Sequence, residues 1–299
     1  MKVPYRKRGQ TLYKTIKKVR RVANEKELNQ ILNTIQIRRL KDDVLDLPPK
    51  VLTFPQLELD LHTKRIYETM RDYALLLLKE HDENMPVLSP TCRTAVETAA
   101  RCEQLVQGCV GGVPDVLLSQ LSGELGKRAV GVKESPGWLI FPKAEKLVWL
   151  QEQLDGVKVQ GGQSVVFCRF LAPLHWLEEE RGGVAVTGSM PAERREQVFA
   201  AFQGGEINEL YISVRIAEGF NLFKAQYEFF LGRDWAWSIN NQAIDRCHRI
   251  GQTGTVNVQI PIVRNTIEVR QAAALEAKEK DADATLCFQT IADLREALA

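Results

Sequence analysis

The pattern of apolar residues changes near residue 143, from helices and a short extended stretch to a regular alternation of helices and strands. In the first part, Leu28, Ile31, Leu32, Ile35 and Leu40 recur mostly at helical spacing, and Leu-Pro-Pro-Lys at 47–50 ends any helix. Leu57, Leu59 and Leu61 then alternate with Gln56, Glu58 and Asp60, the period of a half-buried strand. Thr63 is placed to cap a helix whose apolar face is Ile66, Met70, Tyr73 and Leu77. Residues 91–128 read as a further helix followed by a Gly- and Ser-containing connection. Residues 129–142, punctuated by Pro136, Gly137 and Pro142, read as a linker.

From residue 143 the pattern becomes a regular alternation. A helix carrying Leu147, Leu150 and Leu154 leads into the apolar strand Ser-Val-Val-Phe-Cys (164–168) and a helix with Leu171, Leu174 and Leu177. The strand Val-Ala-Val-Thr-Gly, the helix around "AERREQVFAAF", the strand "ELYIS" (209–213) and the strand "YEFFLG" (227–232) follow. After them come "SINNQAIDRCHR" as a helix, "TVNVQIPIV" as a strand and a long helix from about Thr266. Wholly apolar strands alternating with helices predict an α/β fold, a parallel sheet with helices on both faces. Ligands of such sheets meet the loops at the carboxyl ends of the strands.

Composition changes this picture little. Of the 299 residues 44% are apolar and 26% charged, as in a globular protein, and no apolar run approaches the roughly 18 residues of a membrane span. Nothing resembles a signal peptide, so an intracellular protein with no membrane partner is expected, in the cytoplasm of a prokaryote or virus-infected cell, or in a nucleus. The six cysteines form no CxxC pair and have no His at zinc-ligand spacing, which points to reduced, buried thiols and no metal site. The net charge of +2 hides an asymmetry: residues 1–21 hold nine Lys or Arg and no acid, leaving 31 basic against 38 acidic residues elsewhere. Such an arm suits phosphates or an acidic partner, or is simply a solvated terminus.

One polar stretch stands between apolar runs, "QAIDRCHRIGQ" at 242–252. Read as a helix, it puts Gln242, Arg246 and Arg249 on one face, with Gly251 just past the end. Arginine is always charged and presents a planar fork of donors suited to a phosphoryl group in transfer. The other reading of the same spacing is a solvated face balanced by Asp245.

Four further stretches bear on that choice. "QAIDRCHRIGQT" resembles motif VI of the SWI/SNF-type DNA translocases of helicase superfamily 2, and "IRRLKDDVLDLPPK" (37–50) resembles the signature that joins their two lobes. "VVFCRF" (165–170) is similar to motif IV, "SVRIAEGFNL" (213–222) to motif V, and "TGSMPAERREQVFAAFQ" (187–203) to the Gly-Ser turn and following helix. The motifs stand in family order over about residues 20–275. The resemblance implies the carboxyl-terminal RecA-like lobe, with 1–50 as basic arm and interlobe linker, 51–142 as an N-terminal helical insertion, 143–280 as the lobe and 281–299 as a tail helix.

It also implies roles. Arg246 and Arg249 would be arginine fingers toward the γ-phosphate of ATP, with Gln242 orienting them or the attacking water. Gly219 and Asn221 of motif V, together with Asp245, would lie on the nucleotide side of the lobe. Arg169, Thr187, Ser189 and Ser213 would contact DNA phosphates, a sequence-independent mode. The Trp residues of "RDWAWS" (233–238) would anchor the turn before motif VI, stacking on a base being the alternative.

Two features depart from the family pattern. Motif V is one residue short and carries Ala217-Glu218, which sets a negative charge near its phosphate-facing glycine. No phosphate-cradling GxxxxGK[ST] and no Mg²⁺-binding acidic pair after an apolar strand occur in the 299 residues; "GELGKRAV" (123–130) has Arg128 where the hydroxyl belongs. ATP and Mg²⁺ would then be held mainly by a nucleotide-binding lobe on another polypeptide, with double-stranded or branched DNA as substrate, in repair or remodelling. The chain would not hydrolyse ATP alone. A split subunit, a truncated reading frame and a lobe reused as a non-catalytic DNA-binding or regulatory module all remain open, and an RNA helicase half is the weaker fit.

Overall fold

The computed structural model describes residues 2–7, 10–15, 47–79, 90–111, 129–216 and 219–280. The interlobe signature at 37–46, Ala217-Glu218 and the tail at 281–299 lie outside the described residues, as does most of "GELGKRAV". The chain forms two compact units, residues 1–46 and 47–299. In the first, strands β1 (Lys2–Lys7) and β2 (Gln10–Thr15) pair antiparallel, with Lys7 opposite Gln10.

The second unit is built on six parallel strands. They are β3 (Lys50–Thr53), β8 (Ser164–Cys168), β9 (Val184–Val186), β10 (Glu209–Ser213), β11 (Tyr227–Phe230) and β12 (Val256–Gln259), in the order β3-β12-β11-β8-β10-β9. Alternate residues of each central strand serve opposite faces. Val165, Phe167, Leu210, Ile212 and Phe230 enter one core with Val198, Phe199 and Phe202 of helix α5 (Ala192–Gly204) and Ala243 and Ile244 of helix α6 (Trp237–Ile244). Val166, Cys168, Tyr211 and Phe229 enter the other with Leu147, Leu150 and Leu154 of α3 (Glu145–Val159) and Leu174 and Leu177 of α4 (Leu171–Arg181). The expected RecA-like sheet, covered on both faces, is the observed fold.

Several local expectations are corrected. "TVNVQIPIV" is two strands, β12 and β13 (Ile262–Val263), because Pro261 has no N–H for the ladder. The break is matched across the pair: Pro55 separates β3 from β4 (Gln56–Leu57), which pairs with β13, and the Pro55 carbonyl accepts from Ile262 N at 2.8 Å. The alternating leucines therefore form a strand only as far as Leu57, and Leu61 already opens helix α1 (Leu61–Lys79). Its cap is Asp60 rather than Thr63: Asp60 Oδ1 accepts from His62 N at 2.7 Å and Thr63 N at 3.0 Å. The buried stripe of α1 runs through Tyr67 and Ala74, with Ile66 and Met70 partly buried and Tyr73 exposed. Packing against α2 (Pro90–Val106), together with a hydrogen bond from Ile267 N to the Tyr67 hydroxyl at 2.7 Å, sets that rotation.

The stretch 129–142 is not a linker. Strands β6 (Val130–Val132) and β7 (Ser135–Ile140) join β5 (Cys109–Gly111) in an antiparallel sheet, and buried Val132 and Ile140 hold it. A register shift between Gly131 and Val132 accommodates Pro136 and Gly137, the residues that made the segment read as irregular.

A buried ion pair closes one end of the sheet. Lys146 Nζ of α3 meets Glu268 Oε1 of α7 (Ile267–Lys280) at 2.5 Å and donates to the Leu231 carbonyl at 2.9 Å. The Lys146 side chain is 2% exposed, and the other Glu268 oxygen accepts from Val263 N at 3.1 Å. Burial lowers the Lys146 pKa and the Glu268 carboxylate opposes that shift. Removing one partner strands the other charge in the interior, which costs about 3 to 5 kcal/mol. Lys146→Met is therefore expected to lose about that much stability in urea unfolding, and Lys146→Met combined with Glu268→Leu to recover most of it.

Candidate functional site

Parallel register gathers the loops of the site at one edge. Ser213 ends β10 opposite Cys168, the last residue of β8, and Ile212 lies opposite Val186, the last residue of β9. Arg169, Thr187 and the turn after Ser213 consequently leave the sheet side by side. Thr187 is buried and its Oγ1 lies 2.8 Å from the exposed Ser189 Oγ, across a turn closed by Met190 N to the Thr187 carbonyl at 3.2 Å. A Cβ on Gly188 would stand 3.7 Å from Ile216, so this turn lies against the 3₁₀ turn Val214–Ile216. Ser213, Thr187 and Ser189 are brought together at this edge.

Arg169 is placed differently. Its Nε lies 3.4 Å from Glu103 Oε1 of α2, its side chain is only 18% exposed, and its Nη1 is buried. The second Glu103 oxygen accepts from Trp235 Nε1 at 3.3 Å, and Trp235 is buried as the anchoring reading expects. Arg169 thus ties α2 to the edge. Burial pushes the Glu103 carboxyl up to about 6, against the opposing charge of Arg169. Beside it, buried Asp234 accepts Ala236 N at 3.0 Å and Arg215 Nε at 2.9 Å. Those hydrogen bonds outweigh its burial and hold its pKa below the ordinary value.

The motif VI stretch is helical only to Ile244. Asp245 is the C-cap residue, and the backbone tightens with Arg246 N bonded to the Ala243 carbonyl at 3.0 Å and Gln252 N to the Arg249 carbonyl at 3.0 Å. Gln242, Arg246 and Arg249 therefore do not share one helix face. Gln242 is exposed on α6, and the two arginines project from the turns that follow. Three contacts draw the chain off the helical path. His248 Nε2 lies 2.8 Å from the Pro48 carbonyl, Gln252 Nε2 donates to the Ala225 carbonyl at 2.9 Å, and Gly251, at φ 103°, lets the backbone pass the Phe223 ring. Burial raises the pKa of the Cys247 thiol and of the Glu228 carboxyl of β11 that it faces.

Both arginines close onto motif V. Arg246 Nη1 donates to the Phe220 carbonyl at 3.4 Å, its guanidinium lies 5.7 Å from the Phe220 ring centre, and its carbonyl accepts Leu222 N at 2.9 Å. Arg249 Nη1 donates to Asn221 Oδ1. Phe220 in turn stacks on Phe199 of α5 at 4.1 Å, and Gln203 Nε2 donates to the Asn221 carbonyl at 2.8 Å. Gly219 takes φ 84°, a left-handed conformation that suits glycine. Asp245 lies 3.9 Å from Lys50 Nζ of β3. The structure therefore joins Arg246, Arg249, Gly219 and Asn221 in one junction and pairs Asp245 with the sheet edge. Among the described residues no group of three or more His, Cys, Asp or Glu side chains is placed to hold a metal ion.

Residues 145–251, from the first residue of α3 to the end of this junction, match the helicase conserved C-terminal domain. The matched segment resembles the C-terminal lobe of SWI/SNF-type helicases. Among its relatives, the DNA repair protein RAD5A of Arabidopsis thaliana is 29% identical over 51% of this chain and 16% of the relative. The putative ATP-dependent helicase/translocase YwqA of Bacillus subtilis is 25% identical over 85% of this chain and 26% of the relative. The chain spans about a quarter or less of the length of these two relatives. In fold, the lobe is similar to the C-terminal part of the Fun30 ATPase domain, with a TM-score of 0.61 and 16% identity over 84% of this chain and 98% of that one. It is also similar to the SWI2/SNF2 ATPase core of Sulfolobus solfataricus solved with double-stranded DNA, with a TM-score of 0.56 and 21% identity over 85% and 50% of the two chains.

The sequence did not reveal what holds the lobe's edge together. Glu103 stands in an ordinary amphipathic helix 66 residues before Arg169, and no local spacing links them. Asp234 was legible only as part of the acidic-Trp turn.

The Glu103 position has a measurable consequence. Its carboxyl ordinarily titrates near 4.5 and here near 6, so the unfolded chain binds fewer protons between those values and stability falls as pH rises through that window. The loss attributable to this residue is about 2 kcal/mol. The difference in unfolding free energy between wild type and Glu103→Gln, followed by urea denaturation across that range, should carry this slope.

Proposed function

We propose that this chain supplies the second motor lobe of an ATP-dependent DNA translocase, completed by a nucleotide-binding lobe from outside these 299 residues. The observation that carries the reading is the junction of Arg246 and Arg249 with motif V. Two permanent cations are anchored on the segment that leaves β10 at the strand edge where Thr187, Ser189 and Ser213 meet. A change in what Arg246 and Arg249 touch is thereby passed directly to Phe220–Leu222.

In this reading, Arg246 and Arg249 serve as arginine fingers that stabilise charge on a transferring phosphoryl group, and Gln242 assists from the exposed end of α6. ATP and Mg²⁺ belong mainly to the other lobe, which is consistent with the lack of a GxxxxGK[ST] loop in this sequence. DNA is contacted through its phosphates along the carboxyl edge of β9 and β10, without base readout. Of the expected insertion 51–142, the part from α1 onward, with α2 and the β5–β7 sheet, acts as the insertion of the lobe, tied to it through Glu103 and Arg169, whereas β3 and β4 pair with β12 and β13 of the lobe itself.

The test is DNA-stimulated ATP hydrolysis by the full chain mixed with a first-lobe polypeptide. The mixture should be active, either component alone inactive, and Arg246→Ala or Arg249→Ala each at least about a thousandfold slower, in the range of arginine-finger losses. An active mixture indifferent to both substitutions would refute the finger assignment. A mixture that is inactive although the chain binds DNA in a salt-sensitive manner would point to a non-catalytic module carried by the basic arm 1–21.

A further inference from the structure

We propose that Arg215, and not Arg169, is the arginine with which this lobe grips a DNA phosphate; the inference rests on the translocase reading above. Both residues stand just past the ends of neighbouring strands, Arg169 after β8 and Arg215 two residues after the end of β10. Their surroundings separate them. Arg169 is turned inward onto Glu103, 18% exposed, with Nη1 wholly buried. Drawing it out to a phosphate would leave the Glu103 carboxylate buried without its counter-charge, a cost comparable to breaking a buried ion pair.

Arg215 meets the opposite conditions. Its side chain is 64% exposed, yet its root is fixed, because Nε donates to the buried Asp234 Oδ2 at 2.9 Å. Asp234 is itself held by Ala236 N at 3.0 Å, while its own N–H donates to Asn240 Oδ1 at 2.8 Å, so the acceptor does not move. A guanidinium held by Nε presents its two terminal amines outward as a fork, the geometry that matches the paired oxygens of a phosphate. Orientation is thus set before any ligand arrives, and little side-chain entropy remains to be lost on binding.

The neighbourhood is also suited to a phosphodiester. Val214–Ile216 lies against the Thr187–Ser189 turn, which brings the exposed Ser189 hydroxyl alongside. Arg195 of α5 leans over the same turn, with Nη2 donating to the Met190 carbonyl at 3.2 Å. Asp234 partly offsets the positive charge of Arg215, so the contribution expected is one phosphate neutralised, not a general basic field.

Each neutralised phosphate on duplex DNA contributes about 0.9 to the slope of log K against log salt concentration. The experiment measures binding of the full chain to a short mixed-sequence duplex by fluorescence anisotropy over a salt series, for wild type, Arg215→Gln, Arg215→Lys and Arg169→Gln. The expected result is a slope smaller in magnitude by about 0.9 for Arg215→Gln, with severalfold weaker binding, and a slope close to wild type for Arg215→Lys. Arg169→Gln should keep the wild-type slope while losing thermal stability. A wild-type slope in Arg215→Gln, with wild-type DNA binding intact, overturns this assignment and leaves the translocase reading standing. A wild-type chain without salt-sensitive duplex binding overturns the translocase reading and this assignment with it.

Discussion

The parallel register of one sheet is the constraint on which the rest of this structure depends. Because β8, β9 and β10 run in the same direction and end level with one another, every loop that follows a strand emerges at the same edge. That single fact brings Arg169, Thr187 and Arg215 into one neighbourhood, although 46 residues separate the first from the last. The register is fixed by burial on both faces: a slip of one residue in β8 would exchange Val165 and Phe167 with Val166 and Cys168, sending each set into the wrong core. Hydrophobic packing thus positions polar chemistry that takes no part in the packing.

Position alone does not decide what an edge residue does. The two arginines at this edge differ in which carboxylate reaches them and how deeply. Glu103 reaches Arg169 from α2 and holds it below the surface, whereas Asp234 reaches Arg215 from its own buried turn and leaves the guanidinium outside. The same logic governs Lys146, whose charge the Glu268 carboxylate and Leu231 carbonyl confine to the interior. In each case a buried acid determines whether a cation is structural or available.

Much of this was legible in the sequence where short-range patterns carry the information. The strands at 164–168 and 209–213 and the helix from 192 read directly, because continuous apolar runs and helical periodicity are local properties. Segments whose conformation is set by distant partners did not. The helix before motif VI stops at Ile244 because His248 and Gln252 are tied to Pro48 and Ala225, contacts that the spacing of Gln242, Arg246 and Arg249 could not announce. The linker that proved to be β6 and β7 shows the same limit, since Pro136 and Gly137 fall at a shift in the β6–β7 register and β7 is paired on its other side with the distant strand β5. Arg215 was read as part of motif V but not singled out, for its value lies in the contact with Asp234.

The central claim is that the carboxyl edge of the sheet, and not its amino edge, is the working face. Amide hydrogen exchange of the full chain with and without a duplex tests it most directly, because both edges are reported in one experiment. The account predicts slowed exchange at 187–190 and 213–216 and unchanged exchange at 161–164 and 206–209, where β8 and β10 begin. Protection confined to the amino edge, or to residues 1–21 alone, would contradict it.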